Sequence, residues 1–269
     1  MALHSRTLWN KILVGFVFAH SIAQAMTSAA LAQEPAAKGT IKGTVKAQRL
    51  IQESSVDGKY ELLLSPVGLR IKNFKGGYDL YSAAPDWQIY AVRQEAKEIA
   101  HMSMAQFRKF TMPSFRMMGD AAALGKPLKT VQSVDAKGKK TFYQFPGPGE
   151  VDTGYSGWIE KSEVLNYELF SRDLAMPAEA SAIIYRYYNL PLLSGVPTEM
   201  YSVIKEGKNV RRGWLLRTDS NKAELVSDNK VFRPPAKLKD AGLINSQYLT
   251  RGISGLADDM SELIDVKRK

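Results

Sequence analysis

The 269-residue chain contains no cysteine. Disulfides, thiolate zinc sites, thiol nucleophiles and dithiol redox motifs are therefore excluded. Without disulfides the chain must be stabilised by its own core, which its length permits. Histidine is nearly absent too. There are three, and His4 and His20 lie within the first twenty residues, which leaves His101. A Ser-His-Asp triad would have to use it. No G-x-S-x-G elbow is present to supply the serine, because Gly154-Tyr155-Ser156-Gly157 has the wrong spacing. The glycines are dispersed among turns, so no phosphate-cradling loop can be read. No repeat of solenoid period is visible.

The remaining candidates for chemistry are weak. Ser202-Val203-Ile204-Lys205 has the S-x-x-K spelling, but in a strand positions three apart face opposite ways. Glu150 and Asp152 fall in a stretch without a calcium-loop pattern. Asp258, Asp259 and Glu262 fall on the polar side of an amphipathic segment, where charges are normally just solvated. No residue set singles out a reaction, so the expectation is a non-enzymatic protein without a cofactor.

Arg6 and Lys11 precede the apolar stretch from Ile12 to Phe18, and small residues run up to Ala30-Leu31-Ala32. This is the layout of a secretory signal peptide over residues 1–32. His20, Ser21 and Gln24 interrupt the stretch, which makes it too short and polar for a permanent span. The expected location is periplasmic or secreted, with 33–39 as a flexible lead-in. The formal net charge is +10, and losing the leader with its two basic residues brings it to +8. Most of the excess is scattered, with clusters at Lys137 to Lys140, Arg211-Arg212 and Lys267 to Lys269. Such an excess serves solubility and suits an anionic membrane surface. Export removes nucleic acid from the expected partners.

What is abundant is period-two alternation. Leu69-Arg70-Ile71-Lys72 reads apolar, basic, apolar, basic; Tyr60, Leu62 and Leu64 share a face, as do Trp87, Ile89 and Ala91. Asp57-Gly58, Gly76-Gly77 and Ala84-Pro85-Asp86 supply turns. Six strands follow, near 40–51, 59–65, 68–73, 78–83, 87–93 and 96–101. Connections this short require antiparallel neighbours. Residues 103–127 change to helical spacing, split at Pro113. A hairpin near 129–145 turns at Lys137-Gly138. The Gly- and Pro-rich 146–158 predicts a loop, and 159–170 is ambiguous. Met176 to Tyr188 predicts a helix with Pro177 in its first turn. Three strands follow at 198–206, 210–218 and 222–228, the last two separated by a turn at Asp219-Ser220-Asn221. An amphipathic helix is expected near 254–265. The fold class is α+β, mainly β. One large curved antiparallel sheet of about eleven strands forms an unclosed barrel, with inserted helices as plug or lid.

This order resembles the periplasmic lipoprotein-carrier superfamily, the LolA/LolB-like proteins. Two local texts carry the likeness, GLRIKNFKGGYDLYSAAPDWQIYAVRQEAKEIAHMSMAQF (68–107) and AELVSDNKVFRPP (223–235). It spans roughly 40–235, with 236–269 as a C-terminal tail outside the pattern. The resemblance implies that helices plug an unclosed barrel and that the hollow receives an apolar ligand. It implies a carrier role in outer membrane biogenesis, with a lipid, lipoprotein acyl chains or a lipidated protein as partner. The expected cavity lining is Leu62, Leu64, Leu69, Ile71, Trp87 and Ile89 from the sheet, and Met104, Phe107, Phe110, Phe115 and Met118 from the insertion. An envelope structural or interaction protein with a filled core is the alternative.

The stretch HMSMAQFRKFTMPSFRMM, 101–118, holds five of the ten methionines. Thioethers are soft ligands for Cu(I), which gives a periplasmic copper-handling reading through His101, Met102 and Met104. Against it, Ser103-Met104-Ala105-Gln106 spells a capping box with Ser at N-cap and Gln at N3. Met102 and Phe107 then occupy the positions of a hydrophobic staple. Copper site, ligand-facing lid and plain core all remain open at this point.

Overall fold

The computed structural model describes residues 44–113, 124–152, 161–174, 176–226 and 229–250. The signal segment 1–32, the lead-in 33–39 and the expected helix at 254–265 lie outside these residues. So do Phe115 and Met118. Among the described residues, no helix is long and apolar enough to cross a membrane.

Among the described residues, twelve strands form one sheet. The first six are a tight meander: β1 (Val45–Ser54), β2 (Gly58–Ser65), β3 (Gly68–Asn73), β4 (Tyr78–Ala83), β5 (Ile89–Arg93) and β6 (Glu98–Met102). The turns sit where Asp57-Gly58 and Gly76-Gly77 place them. Then come α1 (Met104–Phe107), β7 (Lys129–Asp135), β8 (Gly138–Asp152), β9 (Lys161–Arg172), α2 (Ala178–Tyr187), β10 (Val196–Glu206), β11 (Asn209–Val226) and β12 (Lys239–Leu243). The spatial order is β12-β6-β5-β4-β3-β2-β1-β11-β10-β9-β8-β7, so β1 joins the two halves by pairing with β11 and the sheet ends on β12 and β7. It is unclosed and mainly β, as the alternation predicts.

Three expectations about the elements are corrected, and one open segment is resolved. The run 146–152 is strand, not loop, because β8 continues to Asp152 through a bulge. Pro146 pairs with Asn166 and Gly149 with Val164, so Gly147 and Pro148 oppose Leu165 alone. A bulge tolerates proline's missing N–H. Gly147 lies so close to β9 that an added Cβ would stand 1.8 Å from the Val164 carbonyl oxygen. Second, Asp219-Ser220-Asn221 is not a turn. β11 passes straight through it, and the register shift opposite Ile51 and Gln52 absorbs Asp219. Ladder bonds to β1 outweigh the local turn preference. Third, the ambiguous 159–170 contributes β9. Fourth, the sheet does not stop at 235, because β12 pairs in parallel with β6. Within 103–113 only one helical turn, α1, forms.

Strand alternation sorts residues onto two faces. The inner face gathers Leu50, Tyr60, Leu62, Leu64, Leu69, Ile71, Leu80, Ile89, Ala91, Phe145, Leu169, Met200 and Leu216 into one buried cluster with Ile183, Ile184 and Tyr185 of α2. On the outer face, Ala47, Leu63, Val226 and Phe232 form a smaller cluster. Phe232 arrives on a 3₁₀ turn, Asn229–Phe232, and lies against Gly68, where any Cβ would collide with its side chain at 2.6 Å. Leu62, Leu63 and Leu64 are therefore all buried, on alternating faces.

Candidate functional site

The inner face runs out toward solvent at the start of β1, the end of β2 and the end of β11. There it opens into a cleft of about 530 Å³. Antiparallel pairing builds the floor. Gln48 stands opposite Leu64 on one side and Ala223 on the other, and Lys46 stands opposite Leu225. Pro66 from the β2–β3 turn and Leu174 from the segment after β9 complete the apolar wall. Leu225 is 69% exposed, a large apolar side chain on a surface that no described residue covers. The volume falls within the roughly 300–1,000 Å³ of small-molecule sites.

Two of the polar groups at this cleft, Ser65 and Glu224, are already engaged. Ser65 Oγ donates to the Gly68 carbonyl at 3.1 Å and accepts from the Val67 and Gly68 N–H groups. Glu224 forms a bidentate pair with Arg49, at 2.7 and 2.9 Å. Arg49 also meets Glu61, which meets Arg70. Glu224 is thus the end of a four-residue ladder along the outer face, and the Arg49 guanidinium is held well above its usual range by Glu224 and Glu61. A tethered carboxylate beside a hydroxyl held in a turn is poor acid–base equipment. The rest of the lining is largely apolar: Ala47, Leu64, Pro66, Leu174, Ala223 and Leu225.

At the opposite end of the inner face, α2 is fixed by a buried polar network. Asn73 Nδ2 donates to the Tyr187 hydroxyl at 3.1 Å and to the Tyr78 hydroxyl at 3.3 Å. The Tyr188 hydroxyl donates to Gln52 Oε1, and Gln52 Nε2 donates to the Pro197 carbonyl at 2.7 Å and to Thr218 Oγ1 at 2.9 Å. Tyr60 packs edge-on against Tyr187 and Tyr188, with centroids 5.6 and 6.1 Å away. Burial pushes all three phenols up. Asp57 in the β1–β2 turn shares this environment. Burial raises its carboxyl from 3.8 to about 6, although the Tyr60 hydroxyl, Lys75 and the Ser54 hydroxyl all work against the rise. The hydrogen bonds that Asn73 and Gln52 make with Tyr187 and Tyr188 define where the end of α2 docks.

Of the residues expected to line a cavity, Leu64 borders the cleft. Leu62, Leu69, Ile71, Ile89 and Phe107 are fully buried in the inner cluster, with Trp87 nearly so. Met104 and Phe110 pack against that cluster half-exposed, and Phe107 stacks on Phe110 at 6.4 Å. Ala223, Leu225, Lys46 and Gln48 were not foreseen. Their signal lay in two short alternations, Lys46-Ala47-Gln48 and Ala223-Glu224-Leu225, whose shared face becomes evident only once β1 and β11 are paired.

The methionine-rich stretch resolves into its parts. The capping box is present: Gln106 N–H donates to Ser103 Oγ at 3.3 Å, and Ser103 N–H donates to Gln106 Oε1 at 2.9 Å. Met102 and Phe107 are both buried in the inner cluster, as a staple requires. His101 points the other way, its Nδ1 3.7 Å from Asp240 Oδ1 on β12. Neighbouring residues of a strand face opposite sides of the sheet, so His101 and Met102 cannot share one metal ion. Met112 N–H and carbonyl are both held by the Asn189 side-chain amide, which ties this segment to the end of α2.

The chain matches no family model and no curated protein.

Proposed function

We propose that the chain is an exported, non-enzymatic carrier or binding protein of LolA/LolB-like type. It holds a lipid, the acyl chains of a lipoprotein or another apolar ligand where the inner face opens. One observation carries this reading: an apolar cleft of about 530 Å³ whose floor, Leu64, Ala223 and Leu225, continues the protein's own core into solvent. The absence of an acid–base pair among the cleft's lining residues favours holding over transformation.

The test is native mass spectrometry of the protein purified from the periplasm of an expressing bacterium, beside Ala223→Trp, which fills the cleft. Lipid or fatty-acid adducts on the wild type that disappear from the variant are expected. A wild type without adducts, which also fails to bind a fluorescent acyl probe, would remove the carrier reading. The envelope structural protein with a filled core would replace it. That second reading draws on the fully buried Leu62, Leu69, Ile71 and Ile89.

A further inference from the structure

A second cleft, of about 440 Å³, lies beside α2, between it, the end of α1 and the segment that follows α2. Arg108, from the C-terminal end of α1, and Arg186 of α2 both line it. Ala182, Tyr185, Leu190, Pro191 and Leu192 supply the rest of its wall, and Leu192 is 65% exposed. No carboxylate is among the lining residues. Among the described residues neither arginine makes an ion pair, although most other arginines of the sheet do. Arg49, Arg70, Arg172, Arg211, Arg212 and Arg217 each face a Glu or Asp.

Arg186 adds an observation of its own. One terminal nitrogen donates to Thr111 Oγ1 at 3.2 Å. Its Nε is out of contact with water and has no acceptor. A guanidinium presents its donors in a planar fork matched to two oxygens of one oxyanion. A desolvated Nε–H without an acceptor is destabilising, and an incoming anion supplies the missing acceptor. The polypeptide also holds the fork in place: Asn189, three residues beyond Arg186, fastens the Met112 segment next to Thr111.

We propose that this cleft is a binding site for an oxyanion, a phosphate or a carboxylate, gripped by Arg186 with Arg108 and Thr111 beside it. The source is either the free ion or the head of an amphiphile whose tail lies along Leu190, Pro191 and Leu192. This site stands apart from the carrier cleft, and its existence does not depend on that reading.

Isothermal titration of the full-length protein at low ionic strength, with inorganic phosphate and with octyl phosphate, tests it. Arg186→Gln and Arg108→Gln are titrated alongside. Arg108 is exposed, so its variant leaves the fold intact, and circular dichroism checks Arg186→Gln. Each substitution is expected to weaken binding roughly tenfold. Tighter binding of octyl phosphate than of inorganic phosphate assigns the site to an amphiphile head, and equal binding assigns it to the free ion. No binding of either probe by the wild type, or affinities unmoved in both variants, overturns the site.

Discussion

The two halves of the sheet are made of the same element in different ways. In β2 to β5 the strands are five to eight residues long, and most positions are buried, because the inner cluster covers one face and Phe232 with its neighbours covers part of the other. In β7 to β11 the strands reach 18 residues, carry bulges, and run past the core. β7 is exposed along its whole length, with Val134 81% accessible. Short strands with tight turns concentrate burial. Long strands extend surface, and on that surface charge takes over. Arg212 lies 3.6 Å over the Tyr201 ring and Lys140 lies 4.2 Å over Phe170. One half holds the molecule together, and the other presents it to its surroundings.

Substitutions that should behave oppositely in the two halves test this contrast. The largest effect belongs to Leu62→Ala, which opens a cavity in the inner cluster and should cost about 2–5 kcal/mol in denaturant unfolding. Val134→Ala on β7 should change stability by less than about 0.5 kcal/mol in the same assay. Equal losses at the two sites would dissolve the distinction.

Asp57 sharpens the contrast through pH. Its carboxyl is raised on folding, from 3.8 to about 6, so the folded state holds the proton more tightly than the unfolded one. Its contribution is fully present below pH 3.8 and is lost as pH rises through about 6. Asp57→Asn should therefore be nearly neutral at pH 3.5 and stabilising at pH 7, by at most about 3 kcal/mol. Unfolding curves at both pH values measure it, and a wild type whose stability rises between those values as steeply as the variant's would contradict it.

The capping box should register more weakly. Ser103→Ala removes the acceptor for Gln106 N–H and should cost about 1 kcal/mol. The loss should be seen first as faster amide exchange at Phe107 and Phe110, before any change in the sheet.

The contrast also explains what could be read in advance. In the meander, Leu69-Arg70-Ile71-Lys72 and the turns at Asp57-Gly58 and Gly76-Gly77 agree with each other, so strand positions follow from local chemistry alone. The second half contains strong local statements that the tertiary structure overrules. Pro146-Gly147-Pro148-Gly149 suggests a loop and Asp219-Ser220-Asn221 a turn, yet a bulge takes up each because neighbouring strands supply the missing pairing. The same limit applies to the cleft. Leu64 lay in a visible alternation, whereas Ala223 and Leu225 acquire their shared face with Leu64 only through β1, which sits between β2 and β11. Similarly, nothing local to Arg186 announces Arg108 as a neighbour; the Asn189 bridge to Met112 brings the two segments together.

The pairing of β1 with β11 joins residues 175 positions apart in the chain, as the Arg49–Glu224 contact records. On a ribosome, β1 is among the first structured segments to emerge, and it must wait for nearly the whole chain before its second edge is covered. β6 waits longer still, since β12 comes after β11. During that interval the nascent meander displays two uncovered strand edges and an inner face for which α2 has not yet been made. Such a surface adheres to whatever it meets. At about 5–20 residues per second, the chain between β1 and β11 takes on the order of tens of seconds to synthesise, and for that interval the first half must stay intact with one of its edges bare.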